Sequence, residues 1–192
     1  DKYGMVAEMG HKEVGGVKAK LDEFGHEAVV LEQLEIDWKF CNNPLQTADN
    51  ELQARIIVRE VFRENGLDVT FNAKPIIGVA GSGEHTHFGV MAKLKSGKLV
   101  NLFSPEDMRK EACSSLGIGA IMGLLKHYEA INPFISSTTD ALNRLKPGFE
   151  APVCIVTSFG TDPSEPNRNR TILCGLIRDI DNPMATRFEL RS

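Results

Sequence analysis

The 192-residue chain lacks the features that mark several large classes of protein. It has no basic run and a net charge of −4, so its charge does not favour binding to nucleic acid. Its longest apolar stretch, residues 118–125, contains two glycines and is too short to span a bilayer. The first residues have no signal-peptide character, and no internal repeat or low-complexity tract follows. We therefore expect a globular protein with neither a membrane nor a nucleic acid partner.

Cysteine is scarce and scattered. The four cysteines lie far apart in the chain and include no C-x-x-C pair: Cys41, Cys113, Cys154 and Cys174. This spacing argues against a zinc knuckle and against a disulfide framework. Reduced thiols in a cytoplasmic protein are the simpler expectation.

Helical patterns recur along the chain, whose 42% hydrophobic content suits a globular domain. Apolar residues at helical spacing predict a helix over residues 12–24, although Gly15 and Gly16 disfavour it. A second helix is expected over residues 47–65, with Gly66 after it. Ser104, Pro105 and two acids resemble a helix start. That helix is predicted to continue to about residue 129, ending by Asn132-Pro133, before a short helix over residues 137–145.

Strand patterns lie between these helices. Alternating or β-branched runs predict strands at residues 26–31, 33–40, 69–73, 85–94, 153–158, 171–177 and 187–190. Long helices mixed with hairpin-like links favour an α+β fold with a largely antiparallel sheet over a doubly wound one.

Several predicted strands place acids or histidines on one face. Gln33, Glu35, Asp37 and Lys39 alternate with apolar residues, and His85 and His87 show the same spacing of two. The last strand does this with Arg187, Glu189 and Arg191. Each face alone is better explained as a solvated sheet surface. Together they predict a cleft in which oxygen ligands and one imidazole would suit Mg²⁺ or Mn²⁺ bound to phosphate.

Arginines are concentrated late in the chain. They are Arg144, Arg168, Arg170, Arg178, Arg187 and Arg191. Guanidinium groups bind carboxylates and phosphates bidentately, so they suit phosphoryl transfer. Arg144, close to Pro147-Gly148, has the strongest functional interpretation, whereas Arg168 and Arg178 are as well explained as surface residues.

Two common site motifs are incomplete. Gly81-Ser82-Gly83 is not a Walker loop because Gly-Lys-Ser/Thr does not follow it. His85-Thr86-His87 has no helical His-Glu-x-x-His to support a zinc hydrolase. His11 and His127 have no motif context and are expected at the surface or partly packed.

An ordered set of motifs resembles the glutamine synthetase catalytic domain, in its bacterial type I form. The motifs are His26-Glu27, residues 33–37, residues 47–50, residues 81–87, residues 143–152, Asn169-Arg170 and residues 187–191. They extend over almost the whole chain. The resemblance implies an α+β fold whose largely antiparallel sheet forms part of a barrel-like domain flanked by helices. It also implies that residues 1–192 are a partial catalytic domain, without the N-terminal domain and the C-terminal remainder.

The resemblance implies ATP-dependent ligation of ammonium to glutamate through γ-glutamyl phosphate. Glu27 and Glu35 would bind one Mg²⁺ or Mn²⁺ ion, and His85 and Glu189 would bind a second. By the same resemblance, glutamate would be bound by Gly81, Arg144 and Arg191, and ATP would lie near His87 and Arg187. Arg170 would offset the charge of the transferred phosphoryl group. Glu150 would close the site and take a proton from ammonium. A homo-oligomer with active sites shared between subunits is also implied.

The sequence departs from the family pattern at three places. Ala80 stands where many members of the family have asparagine. Gly175 stands where the family usually has a second arginine, whose role Arg178 would have to take over. The paired Glu-x-Glu strand of the family is absent. Two alternatives therefore remain open. One is a related γ-glutamyl ligase that uses a larger amine, and the other is a non-catalytic assembly protein with the same fold.

Overall fold

The computed structural model describes residues 4–21, 23–77, 79–144, 154–158 and 172–191. The chain divides into two compact units, Asp1–Ser82 and Gly83–Ser192. Of the described helices, none combines the length and apolar character that crossing a bilayer requires.

The first unit contains a long antiparallel hairpin of β1 (Ala7–Leu21) and β2 (Glu27–Trp38). The predicted helix over residues 12–24 is therefore wrong, and the two strands predicted after it are one continuous strand. The spacing that suggested a helix also contains a strand alternation, in which Val17, Ala19 and Leu21 alternate with lysines. The Gly15-Gly16 pair, which disfavours a helix, lies where the register of the hairpin shifts between Glu13 and Lys18.

A single helix, α1 (Pro44–Glu64), follows the hairpin and confirms the helix predicted there. The Asn43 side chain accepts hydrogen bonds from the amides of Leu45 and Gln46, at 3.1 and 3.4 Å, and so caps the first turn. At the other end Gly66 has a φ of 72°, a left-handed conformation that glycine adopts without strain.

Residues 69–73 do not form the predicted strand. Phe71 packs instead against α1, where the guanidinium groups of Arg55 and Arg59 lie 5.1 and 5.2 Å from its ring centroid. The carbonyl of Ala73 accepts a hydrogen bond from the Ser82 amide at 2.9 Å. This segment is therefore held by contacts with a helix and by one backbone hydrogen bond, not by a neighbouring strand.

The second unit is built on a four-stranded sheet and a small hairpin. The sheet order is β3 (Thr86–Phe88), β8 (Arg187–Leu190), β7 (Ile172–Ile177) and β6 (Cys154–Ser158). All pairs are antiparallel except β6 with β7. The hairpin is β4 (Met91–Lys93) with β5 (Leu99–Asn101). The α+β fold with mostly antiparallel sheets is confirmed, although the strand predicted at 85–94 is two strands separated by Gly89-Val90.

Helices α2 (Ser115–Lys126), α3 (Tyr128–Ile135) and α4 (Ala141–Arg144) complete this unit. The predicted helix start at Ser104 is wrong, because the hydroxyl of Ser104 contacts the carbonyl of Pro183 and the hydroxyl of Thr186. Ser114 caps α2 instead, accepting from the Gly117 amide at 3.0 Å. The predicted helix end at Asn132-Pro133 is wrong, because α3 continues through Pro133 to Ile135.

The core of this unit centres on three phenylalanines. The Phe103 and Phe188 rings are 4.6 Å apart, and Phe88 contacts both. Phe188 is completely buried. Helix α2 approaches the Phe103 backbone closely at Gly117, where an added Cβ would lie 2.1 Å from the Cys113 sulfur. The core thus fixes β8 from one side of the sheet.

Candidate functional site

Strand β8 carries both core and site residues because its side chains alternate. Phe188 points into the core, while Arg187 and Glu189 lie on the opposite face. Glu189 pairs with His87 of β3 on one side and with Gly175 of β7 on the other. Because Gly175 has no side chain, the strand position beside Glu189 is left open.

The carboxylate of Glu189 is the centre of a charged cluster. Its Oε1 lies 3.1 Å from Nδ1 of His85, 3.4 Å from Nε2 of His87 and 2.8 Å from Nη1 of Arg191. Burial by itself would raise the pKa of this carboxyl group. The hydrogen bonds from the two histidines and the charge of Arg191 outweigh burial, so the pKa of Glu189 lies well below its usual range. Glu189 is consequently a buried anion at neutral pH.

His87 is held in one tautomer by Arg187. Nε of Arg187 donates a hydrogen bond to Nδ1 of His87 at 2.9 Å, so Nδ1 is the acceptor nitrogen. The ring proton is then on Nε2, which faces Glu189. Arg187 also donates from Nη1 to the carbonyl of Ala185 at 3.0 Å, which fixes its own side chain.

This cluster fits a hard divalent cation. An ionised carboxylate and an imidazole nitrogen lie within contact of each other, and oxygen ligands with one nitrogen suit Mg²⁺ or Mn²⁺. The two arginines add fixed positive charge that suits phosphate or carboxylate groups. The sequence-predicted residues His85, His87, Arg187, Glu189 and Arg191 are therefore brought together.

A second polar group lies on β2 in the first unit. Nε2 of Gln33 donates to the carbonyl of Gly81 at 2.9 Å and contacts the Ser82 hydroxyl at 3.2 Å. These contacts tie Gly81 and Ser82 to the polar face of the strand. The sequence predicted the face but not this attachment.

Glu35 and Asp37 lie on the same face and converge on His11 of β1. Nε2 of His11 is 3.4 Å from the Glu35 carboxylate and 3.6 Å from that of Asp37, and the three ligand atoms lie within 4.8 Å of one another. The sequence did not predict this role for His11, because residues 12–24 were predicted to be a helix and no strand was expected beside β2. The register that pairs His11 with Glu35 could have been found only by recognising β1 as a strand.

The alternation in β2 predicts that the polar side chains face solvent and the apolar ones are buried, but the structure shows the reverse. Leu34 and Ile36 are 57% and 42% exposed, whereas Glu35 and Asp37 are half-buried. The polar side chains are shielded because they contact one another and His11.

Two of the arginines are buried in the second unit. Arg144, in α4, is 7% exposed. Arg178 is also 7% exposed and donates to the carbonyl of Met108, so its interpretation as a surface residue is wrong. Within the described residues Nε and Nη1 of Arg178 make no hydrogen bond.

Some predicted site residues lie outside the part of the chain that the structure describes. These are Glu150, Arg168, Arg170 and the side chain of Glu27, whose backbone begins β2. Their proposed roles rest on sequence alone.

Comparison with known proteins gives consistent matches. A family profile described as "Glutamine synthetase, catalytic domain" matches residues 5–192. A protein named glutamine synthetase from Methylococcus capsulatus is 34% identical over 191 residues, covering 100% of this chain and 34% of that protein. A second so named, from Pyrococcus abyssi, is 37% identical over 153 residues, covering 80% of this chain and 29% of that protein. The chain thus spans about a third of the length of the curated relatives it matches.

The fold also has a solved counterpart. A structure described as "Apo GmaS without ligand" superposes with a TM-score of 0.66 at 22% identity. The match covers 99% of this chain and 36% of that one. At this identity the likeness concerns the fold alone.

Proposed function

Because this chain belongs to the glutamine synthetase catalytic-domain family, we propose that it forms part of an enzyme that ligates ammonium to glutamate. ATP is the second substrate, and γ-glutamyl phosphate is the intermediate. The observation that supports this most directly is the buried Glu189 carboxylate, with His85, His87 and Arg191 in contact with one oxygen.

His85 and Glu189 are the proposed ligands of one Mg²⁺ or Mn²⁺ ion. The low pKa of Glu189 keeps its carboxylate ionised, as a cation ligand must be. When bound, such an ion neutralises charge on the ATP phosphates. His87 and Arg187 are assigned to the nucleotide, where the hydrogen bond between them fixes both side chains.

Glu27 and Glu35 are the proposed ligands of the other ion. The position of Glu35 supports this role, since Asp37 and His11 bring a second carboxylate and an imidazole nitrogen beside it. A carboxylate pair of this kind attracts a divalent cation more strongly than one carboxylate does.

Glutamate is assigned to Gly81, Arg144 and Arg191. Gln33 donates a hydrogen bond to the carbonyl of Gly81, so the backbone at Gly81 has a fixed orientation. Arg144 and Arg191 are largely buried, and a desolvated guanidinium binds a carboxylate more strongly than an exposed one.

Arg170 and Glu150 are assigned to the chemical steps by their motifs. The γ-carboxylate of glutamate attacks the γ-phosphate of ATP and ADP leaves, while Arg170 offsets the negative charge that spreads over the transferred group. Glu150 then takes a proton from ammonium, and the resulting ammonia displaces phosphate from γ-glutamyl phosphate.

The assembled protein is proposed to be a cytoplasmic homo-oligomer with active sites shared between subunits. The described cysteines are free thiols, which is compatible with a reducing compartment.

Replacing Glu189 with glutamine in the full-length protein tests the proposal. Glu189→Gln keeps the size of the side chain and removes its charge, so glutamate-dependent ATP turnover should fall by at least about 100-fold, the upper range for losing a ligand's supporting group. Glu106→Gln, at an exposed acid, is the matched control and should retain wild-type turnover. Equal turnover in wild type and Glu189→Gln would contradict the assignment.

Parallel assays with ammonium and with a polyamine separate the proposal from its two alternatives. Turnover with ammonium supports glutamine formation. Turnover only with the larger amine would select the related γ-glutamyl ligase, and turnover with neither would select a non-catalytic protein.

A further inference from the structure

From the contacts of Asn101 we infer that this residue is a positioning residue for the Glu189 cluster. It acts by fixing the entry of strand β8, and the inference rests on the proposed function of that cluster. Asn101 is the last residue of β5 and is only 7% exposed.

The side-chain amide of Asn101 uses both its donors and its acceptor. Nδ2 donates to the carbonyl of Thr186 at 2.6 Å and to that of Met184 at 3.2 Å. Oδ1 accepts from the amide of Phe103 at 2.9 Å. A buried amide satisfied in this way holds two chain segments at one distance and orientation, because each misplaced bond leaves a buried polar group unpaired.

The segment that Asn101 holds leads directly into the site. Residues 183–185 form a 3₁₀ turn, and Thr186, 1% exposed, separates that turn from Arg187. Ser104 adds a second attachment through the carbonyl of Pro183 and the hydroxyl of Thr186. The turn is therefore anchored to the chain on both sides of Phe103.

The register of β8 decides where the charged side chains point. A slip of one residue would turn Arg187 and Glu189 toward the core and Phe188 toward the site. A smaller shift would lengthen the 2.9 Å bond from Arg187 to His87 and the 3.1 Å contact of Glu189 with His85. The contacts of Asn101 fall on the turn and on Phe103, so it acts on the cluster through β8.

Asn101→Asp in the full-length protein tests this role. Aspartate keeps the oxygen that accepts from Phe103 but places a second oxygen against two carbonyls, which repel it. Ile121→Val is the control, because it loses one buried methylene in the same core and is expected to cost about 0.5–1.5 kcal/mol without touching the turn. Ser104→Ala is a milder change at the same anchor, to be used if Asn101→Asp does not fold.

Two readouts separate positioning from general destabilisation. The first is the ¹⁵N signal of His87, assigned with His87→Gln, which reports its tautomer in the metal-free protein. The second is the affinity for Mn²⁺ alone, measured by electron paramagnetic resonance. In Asn101→Asp and Ser104→Ala we expect both His87 tautomers to be populated and Mn²⁺ binding to weaken at least tenfold. Ile121→Val should change neither readout.

The inference is overturned if Asn101→Asp and Ser104→Ala keep both the His87 tautomer and the Mn²⁺ affinity of wild type. Failure of the proposed function would look different, because wild type itself would then show no glutamate-dependent ATP turnover. The His87 signal tests Asn101 in either case.

Discussion

Arg187 donates a hydrogen bond of 2.9 Å to His87, a residue 100 positions earlier in the chain. Because Nδ1 of His87 accepts this bond, the ring proton is on Nε2. In Arg187→Gln, loss of the guanidinium should let protonation at Nδ1 become populated, because Nδ1 no longer faces an obligatory donor. The ¹⁵N spectrum of histidine-labelled protein measures this directly, with Arg109→Gln, at an exposed arginine, as the control. An unchanged His87 signal in Arg187→Gln would contradict the assigned tautomer.

The three glycines of helix α2 should respond to alanine in opposite directions. An alanine Cβ at Gly117 would meet the Cys113 sulfur at 2.1 Å and the Phe103 backbone at 3.3 Å, so Gly117→Ala should lower the free energy of unfolding. Gly119 and Gly123 have nothing within 4 Å of an added Cβ. Gly119→Ala and Gly123→Ala should each raise the free energy by up to about 1 kcal/mol through helix propensity. Urea titration of the three variants measures the difference, and equal effects would disprove the close approach at Gly117.

Buried weak acids should make the protein less stable at alkaline pH. Burial raises the pKa of Cys174 from an ordinary 9.0 to about 11, with a smaller contribution from Glu189. Burial likewise raises the pKa of Tyr128 from 10.0 to about 12, with Cys174 contributing less. Between the ordinary and raised values the unfolded chain binds fewer protons than the folded one. The contribution of Cys174 to stability is complete below pH 9 and is lost as the pH rises from 9 to 11. The contribution of Tyr128 is complete below pH 10 and is lost as the pH rises from 10 to 12.

Tyr128→Phe isolates one of these titrations, because it removes the hydroxyl and keeps the ring. Free energies of unfolding at pH 9, 10 and 11 should fall less steeply in Tyr128→Phe than in wild type. The difference for a single proton is at most about 1.4 kcal/mol per pH unit. Parallel curves would show that the hydroxyl titrates alike in both states.

Thiol reactivity should follow burial among the three described cysteines. Cys41 is exposed, whereas Cys113 and Cys174 are buried and have raised thiol pKa values, so little thiolate forms. Iodoacetamide at pH 8 should label Cys41 first, with Cys113 and Cys174 labelled only after denaturation. Peptide mapping by mass spectrometry reads each site separately. Labelling of Cys174 at the rate of Cys41 in the native protein would contradict its burial.

The sequence predicted the elements whose signals are local. Helix α1 has apolar residues at helical spacing and a glycine after its end, and β8 has a clear alternation, so both were predicted. The capping Asn43 was not recognised, and the predicted helix therefore began at Thr47. The segment of Val17, Ala19 and Leu21 fits a helix and a strand equally, and the deciding term is pairing with residues more distant in the chain. Ser104 resembled a cap because Pro105 and two acids follow it. Its hydroxyl contacts residues about 80 positions away instead, and such contacts leave no local trace in the sequence.

The residues of the candidate site were likewise predicted only where their signal in the sequence is local. Motif order identified His85 and Glu189, and the structure places these two side chains 3.1 Å apart. His11 could not be found, because its relation to Glu35 depends on strand register. Asn101 could not be found either, since an asparagine that ends a short strand carries no sign of the two carbonyls it holds.

The pairing of β3 with β8 has a consequence for biosynthesis. A ribosome adding about 5–20 residues per second needs roughly 5–20 seconds to travel from His87 to Arg187. During that interval β3 has been made but its partner strand has not, and Phe88 lacks the ring of Phe188 against which it packs. The nascent chain therefore exposes an unpaired edge beside an apolar side chain, which is the kind of surface that chaperones recognise.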